Sequence, residues 1–598
     1  LPIFATYFFP LFNSFKEVFM KILRTYIKEN IGTLSLSVIF LTFNTFATLA
    51  IPFEISNIIN QGIMKKNIDM VYSTSIKMVA ILIFGTVTGI IANHFVALFA
   101  TNFSKKNRKM LIRNIETLTL DQVSDFGVAS LVTRMSNDNN NAQRLIVAFF
   151  QMILPSPIMA TISIFLTIKL SPSLALIPLF TILIFACAIV LTLFKSLPYI
   201  LKVQKKLDRM TLVLRERFIG AKIIRAFDNS EKERERFNNI GQDYADNYII
   251  INKKFALLSP MAFALMSVII TLIIFFGAMK VLNNTLEIGS ITAIVEYSLT
   301  TIAALIMSSM VLVQMPKAVV SIERIEEVLA VTSEIRDSED LKDNSYYEGI
   351  LKQNPISLTF DNVCFRYKGA EKQILKNISF SIKAGERFAI VGATGSGKST
   401  IAKVLLRLND IESGKILINN VNTLDLPLNC LRNQISYIPQ KAYIFSGTIK
   451  DNFRFTNKNM TDEEMVEIAK VAQSYDFINS LPDKFNSFVA QGGTNFSGGQ
   501  KQRLSIARAL SKEANIYLFD DSFSALDYVT DAKLRKELKT FLKDKITIII
   551  AQRLNTIADA DKIIVLKDSE ITGMGTHQEL LESNQEYIEL AKSQGILE

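Results

Sequence analysis

Histidine and cysteine are scarce in this 598-residue chain, which holds two histidines, His94 and His577, and three cysteines, Cys187, Cys364 and Cys430. No cysteine pair has metal-binding or redox spacing, which argues against a disulfide framework. Two isolated histidines argue against a His-based zinc centre. Charge is absent from long stretches of the first half. Runs 31–53, 78–104, 145–168, 170–194 and 255–279 contain no Asp, Glu, Lys or Arg, and a sixth, 288–316, contains only Glu296. The soluble second half lacks a basic stripe with interleaved aromatics. Nucleic acid is therefore not expected as a partner despite a net charge of +10.

Each uncharged run is long enough to cross a bilayer, which takes about 20 mostly apolar residues. The segments 105–144 and 195–254 between them are long and rich in Lys and Arg, whereas the links after the first, third and fifth runs are short and carry few positive charges. The positive-inside rule places both termini and the long loops in the cytoplasm of a multi-pass membrane protein, with lipid as a partner. Apolar positions at three- and four-residue spacing predict that the loops are helical extensions of the spans. Phe126–Leu131 and Phe218–Ala221 read as their turning tips, able to dock on a soluble domain. The expected organisation is an N-terminal segment 1–30, a six-helix membrane domain 31–316, a charged linker 317–355 and an α/β nucleotide-binding domain 356–598. Residues 1–19 lack a charged n-region and a small-residue cleavage site. Translation is expected to begin at Met20, the upstream stretch being an appended segment or a gene-start choice.

The second half carries the chemistry. GATGSGKST, residues 392–400, follows an apolar strand and opens a helical run, the context in which G-x-x-x-x-G-K-S cradles phosphate. Gly392, Thr394, Gly395, Ser396 and Gly397 supply backbone amides, Lys398 reaches the β/γ-phosphates, and Ser399, with Thr400 beside it, offers a hydroxyl to Mg²⁺. A second apolar strand, 515–519, ends at Asp520, a carboxylate suited to supporting Mg²⁺. Between the two lies Phe496-Ser497-Gly498-Gly499-Gln500.

That segment resembles the signature motif of ATP-binding cassette (ABC) proteins, with Phe where Leu is commoner. The resemblance covers essentially everything after Met20, and six spans before one cassette matches the exporter half-transporter layout. It implies roles for further residues. Tyr367 resembles the aromatic that stacks on adenine. Gln440 resembles the Q-loop glutamine that senses Mg²⁺ and contacts the membrane domain. Asp527, in Ser524–Asp527, resembles the D-loop aspartate. Ser497, Gly498, Gly499, Gln500 and Asp527 would complete a nucleotide site in trans. The loop tips would be coupling helices.

Two positions depart from the family pattern. Asp521 stands where a Glu usually polarises the attacking water, and Gln552 stands where a switch-loop His is usual. Asp is one methylene shorter than Glu, and Gln cannot become a cation. Together they resemble the degenerate-site subunit of a bacterial heterodimeric multidrug exporter in the cell membrane. Its second chain would carry the competent Glu and His. The reading is ATP-driven export of amphipathic small molecules by alternating access. A lipid or peptide exporter, and a regulatory or channel-like subunit that binds ATP without pumping, stay open. Glu296 is a candidate for substrate contact, because an ionisable group inside a span is costly, and a snorkelling or interfacial carboxylate is the alternative. His94, in the second span, is a weaker candidate and reads first as a hydrogen-bonded packing residue.

Overall fold

The uncharged runs fold into helices that continue well beyond them. The computed structural model describes residues 26–337, 344–351 and 356–597; the readings for residues 1–25, Met20 among them, lie outside the described residues. Six helical stretches are long and apolar enough to cross a membrane: Ile31–Ile63, Ile68–Thr117, Val128–Leu170, Pro172–Ile219, Ser230–Leu282 and Ile288–Leu312. Two compact units result. One comprises the described residues to Thr117 with Val123–Thr332, and the other comprises Leu118–Gln122 with the described residues from Ser333 on.

Three details revise the expected boundaries. The first helix does not stop with its apolar run at Phe53, because Glu54 is accommodated by the amide of Asn57 at 3.2 Å, and the backbone continues as π-helix over Ile58–Ile63. The sixth helix runs from Ile288 to Ala330, so the first part of the expected linker is helical. Charged residues there tie this helix to its neighbours, as when Arg134 pairs with Glu327 at 2.8 Å. The first loop breaks at Gly127, whose φ of +74° separates helices Leu120–Phe126 and Val128–Thr133. The residues that group with the C-terminal unit, however, are Leu118–Gln122. There Asn409 donates to the Asp121 carboxylate at 2.9 Å. The second loop turns at Gly220, as its sequence predicts.

In the C-terminal unit, strands β1 (Ser357–Phe365), β2 (Leu375–Lys383), β4 (Ser413–Ile418) and β5 (Val421–Asn422) make an antiparallel sheet in the order β2-β1-β4-β5. A second sheet contains β3 (Arg387–Gly392), β6 (Ile435–Ile438), β9 (Ile516–Asp520), β10 (Ile546–Ile550), β11 (Lys562–Lys567) and β12 (Glu570–Gly575), in the order β12-β11-β3-β10-β9-β6. The short strands β7 (Gly447–Thr448) and β8 (Phe488–Val489) pair antiparallel apart from both sheets. Strands β11, β3, β10, β9 and β6 run parallel. Their side chains alternate faces. Phe388, Ile390, Leu518 and Ile548 enter one buried cluster, while Ala389, Val391, Phe519 and Ile549 enter the other. Both faces are covered, so these strands read as continuous apolar runs rather than alternating ones.

Parallel packing brings the carboxyl ends of β3, β10, β9 and β6 to one edge. Ile550 is level with both Ile390 and Asp520, and Ile438 with Phe519. The segments leaving those ends are residues 392–398, 551–556, 520–524 and 439–442. Open parallel sheets bind ligands at this edge.

Candidate nucleotide site

The P-loop closes because glycine occupies positions no other residue fits. Gly397 has φ +101°, and a Cβ there would lie 2.6 Å from the Ile374 carbonyl. The helix Lys398–Leu405 starts immediately after it. Lys398 is 8% exposed and its Nζ donates to the carbonyls of Gly392 and Ala393 at 2.8 and 2.7 Å. Burial holds its pKa below the ordinary lysine value, against the upward pull of Asp521 and Asp520. The Ser396 hydroxyl is buried with no hydrogen-bond partner. An unpaired buried donor inside a ring of backbone amides fits an oxyanion ligand.

Asp520, 4% exposed, faces the loop from the end of β9. Its Oδ1 accepts the Ser399 hydroxyl at 2.9 Å, and its Oδ2 accepts the Tyr437 phenol at 3.1 Å. Tyr437 was not singled out from the sequence. Its phenol pKa is raised by burial and by the Asp520 charge, so it stays a donor. Asp521 sits at φ +46°, in the left-handed region that Asp tolerates better than most residues. Its Oδ2 accepts the Gln440 amide at 2.8 Å. Burial raises the pKa of Asp521, opposed by the Gln440 hydrogen bond. The Ser399 and Asp520 oxygens meet, and Gln440 bonds the neighbouring Asp521; side-chain oxygens of these residues are of the hard type that holds Mg²⁺.

Tyr367 flanks the P-loop helix. Its hydroxyl is 3.3 Å from Thr400 Oγ1 and accepts from Lys403 at 3.1 Å, and the Phe365 ring meets it edge-on. Gln552 is exposed just beyond β10. Elsewhere, Ser497 caps the helix Gly498–Leu510 and forms a reciprocal pair with Gln500, each side chain bonding the other's backbone amide at 3.3 and 2.9 Å. The free amides of this helix end face solvent, where helix polarity favours an anion. Gly499 lies beside the Ala525 carbonyl, and Asp527 caps the following helix through the Thr530 amide at 2.9 Å. The signature and D-loop residues thus form one exposed surface.

In the N-terminal unit, Glu296 is half-buried on the sixth helix beside the fully buried Tyr297. His94 is exposed within the chain, with the Phe95 ring edge-on at 5.8 Å.

Residues 375–524 match the ABC transporter family and residues 34–305 match the ABC transporter transmembrane region. An uncharacterized ABC transporter ATP-binding protein of Bacillus subtilis, YfiB, is 33% identical over 91% of this chain and 93% of its own length. This chain belongs to the ABC transporter family. A putative export ATP-binding/permease protein of Rickettsia bellii is 31% identical over 96% of the chain and 98% of its own length. The structure of a bacterial Atm1-family ABC exporter with ATP bound superposes with a TM-score of 0.79 at 23% identity, covering 94% of this chain and 99% of that one. The helical membrane domain followed by a cassette is the ABC exporter half-transporter architecture, and the cassette makes it a transport-coupled ATPase.

Proposed function

We propose that this ABC exporter uses ATP to expel amphipathic compounds from a bacterial cell, as the weakly hydrolysing member of a two-chain complex. The observation that carries the reading is the pair Asp521 and Gln552. The Asp521 carboxylate is held within its own loop network by Gln440. A side chain one methylene short of Glu reaches the attacking water poorly, and misplacement by ~1 Å can cost on the order of 10²-fold. Gln552 can hydrogen-bond a γ-phosphate oxygen but brings no charge.

In this reading Lys398 and the P-loop amides hold the ATP phosphates, and Tyr367 supports adenine. Ser399, Asp520 and Gln440 hold Mg²⁺, which supplies charge neutralisation on the phosphates. The signature of this chain, with Ser497, Gly498, Gly499, Gln500 and Asp527, completes the partner's site, where most hydrolysis takes place. ATP-driven closure of the two cassettes opens the spans outward, and hydrolysis resets them.

The test is single-site turnover in the native complex after identification of the second chain, with the partner's catalytic Glu replaced. Slow residual hydrolysis is expected. Asp521→Glu with Gln552→His should then raise it about 10-fold or more, the scale of a repositioned catalytic group. Full-rate hydrolysis before any restoration would overturn the reading.

A further inference from the structure

Nothing in the motifs points to the last turn of the chain, yet it reaches the nucleotide site. Residue 552 is tied through its backbone to the end of the C-terminal helix. Its carbonyl accepts the side-chain amide of Gln594 at 2.8 Å. The other end of the same amide, Gln594 Oε1, accepts the Leu554 N–H at 2.8 Å. Gln594 follows the helix Gln585–Ser593 directly, and its backbone N–H donates to the Leu590 and Ala591 carbonyls at that helix end. One planar side chain therefore spans three residues of the switch loop. Farther along, Arg535 donates to the Asn555 carbonyl at 3.2 Å, so that end of the loop has its own independent anchor.

This matters because Gln552 and Arg553 are exposed, between the buried Ala551 and Leu554, and have few other means of staying in place. Ala551 still bonds β3, through the Ile390 carbonyl at 3.2 Å, and a short helical turn begins only at Leu554. Between them the direction of the Gln552 side chain follows from the orientation of its two flanking peptide planes. Gln594 fixes the second plane.

We propose that Gln594 is a positioning residue for nucleotide hydrolysis, a C-terminal clamp that aims residue 552 at the γ-phosphate. The inference rests on residues 551–556 being the switch loop of this chain's own ATP site. It gives the terminal helix a part in the ATPase cycle. It also makes the amide's two ends separable, since the oxygen holds Leu554 and the nitrogen holds Gln552.

The test uses the full-length complex, with the partner's catalytic Glu replaced so that only the site built on this chain's P-loop turns over. If the chain pairs with itself, total turnover reports the same site. Gln594→Ala should speed amide hydrogen exchange in a peptide covering 552–556. It should lower kcat about 5- to 10-fold, the scale of a modest misalignment, with the KM for ATP moving less than twofold. Gln594→Glu keeps the acceptor for Leu554 but loses the donor to Gln552. It should preserve exchange protection at Leu554 and still lower kcat. Gln585→Ala, which removes an amide from the same helix that bonds only Glu589, should leave all three readings unchanged. Unchanged exchange in Gln594→Ala, or a KM rise matching the kcat fall, would overturn the clamp. So would an equal effect of Gln585→Ala. Exchange is read without reference to absolute rate. A site that proves fast in the wild type would therefore refute the weak-site reading and leave the clamp standing.

Discussion

Asp520 and Asp521 are neighbours with opposite surroundings. Both oxygens of Asp520 are taken by hydroxyl donors, whereas Asp521 rests on the Gln440 side-chain amide. Tyr437→Phe removes one donor from a buried carboxylate, a loss of about 1–3 kcal/mol for a hydrogen bond to a charged group. The expected result is a lower Tm and a higher Mg²⁺ requirement for ATPase activity, with ATP affinity at saturating Mg²⁺ little changed. A magnesium titration of turnover checks it, and an unchanged titration curve would remove Tyr437 from the site. Asp521 yields a pH prediction. Its pKa is raised in the folded state, chiefly by burial. Its contribution to stability is therefore present in full below the ordinary Asp pKa of about 4 and is lost as pH rises through the raised value. Asp521→Asn keeps an acceptor for Gln440 and removes the charge. Thermal melts should show it stabilising the protein more at about pH 8 than at about pH 4; the reverse order would contradict the sign.

At the scale of elements, legibility tracks how local the determining contacts are. The strand, glycine loop and helix of residues 387–405 were readable because the whole unit is contiguous and each glycine answers a local backbone demand. The span ends were less so, since a charge such as Glu54 stops an apolar count but not a helix whose neighbours offer it a hydrogen bond. Tyr437 and Gln594 were invisible for a different reason. Their partners lie 83 and 42 residues away in sequence, and the order of the parallel strands alone brings them to one edge. Only the repeated apolar strands were readable, not that order. The sixth helix carries a further expectation. Glu296 lies eight residues past its start at Ile288, about 12 Å along a helix rising ~1.5 Å per residue. Glu296→Gln should weaken vesicle transport of cationic amphiphiles several-fold more than that of neutral ones, as expected for a carboxylate in low dielectric. Equal transport of both classes would assign Glu296 to packing or to the interface.

For the whole molecule, the decisive property is asymmetry between the two ends of one cassette. The P-loop serves this chain's own nucleotide, while the exposed start of the helix Gly498–Leu510 is free to serve another chain. Lys398→Ala removes the ammonium that faces the phosphates, and binding at this chain's site should fall. Gly498→Asp acts differently. An added Cβ at Gly498 meets no atom within 4 Å, so the side chain fits without disturbing the fold. Asp in the first turn also suits the helix dipole, so Tm should hold or rise slightly. The new carboxylate would instead lie where a partner's γ-phosphate docks, and like charges brought together in a dry interface repel strongly. If hydrolysis belongs mainly to the site completed by this signature, Gly498→Asp should abolish most of the ATPase activity of the complex, and Lys398→Ala should leave a substantial part. Nucleotide trapping by each chain, measured separately, would confirm which site each change has silenced. Equal losses from the two substitutions, with equal trapping on both chains, would mean two equivalent sites. Asp521 and Gln552 would then be working replacements for Glu and His.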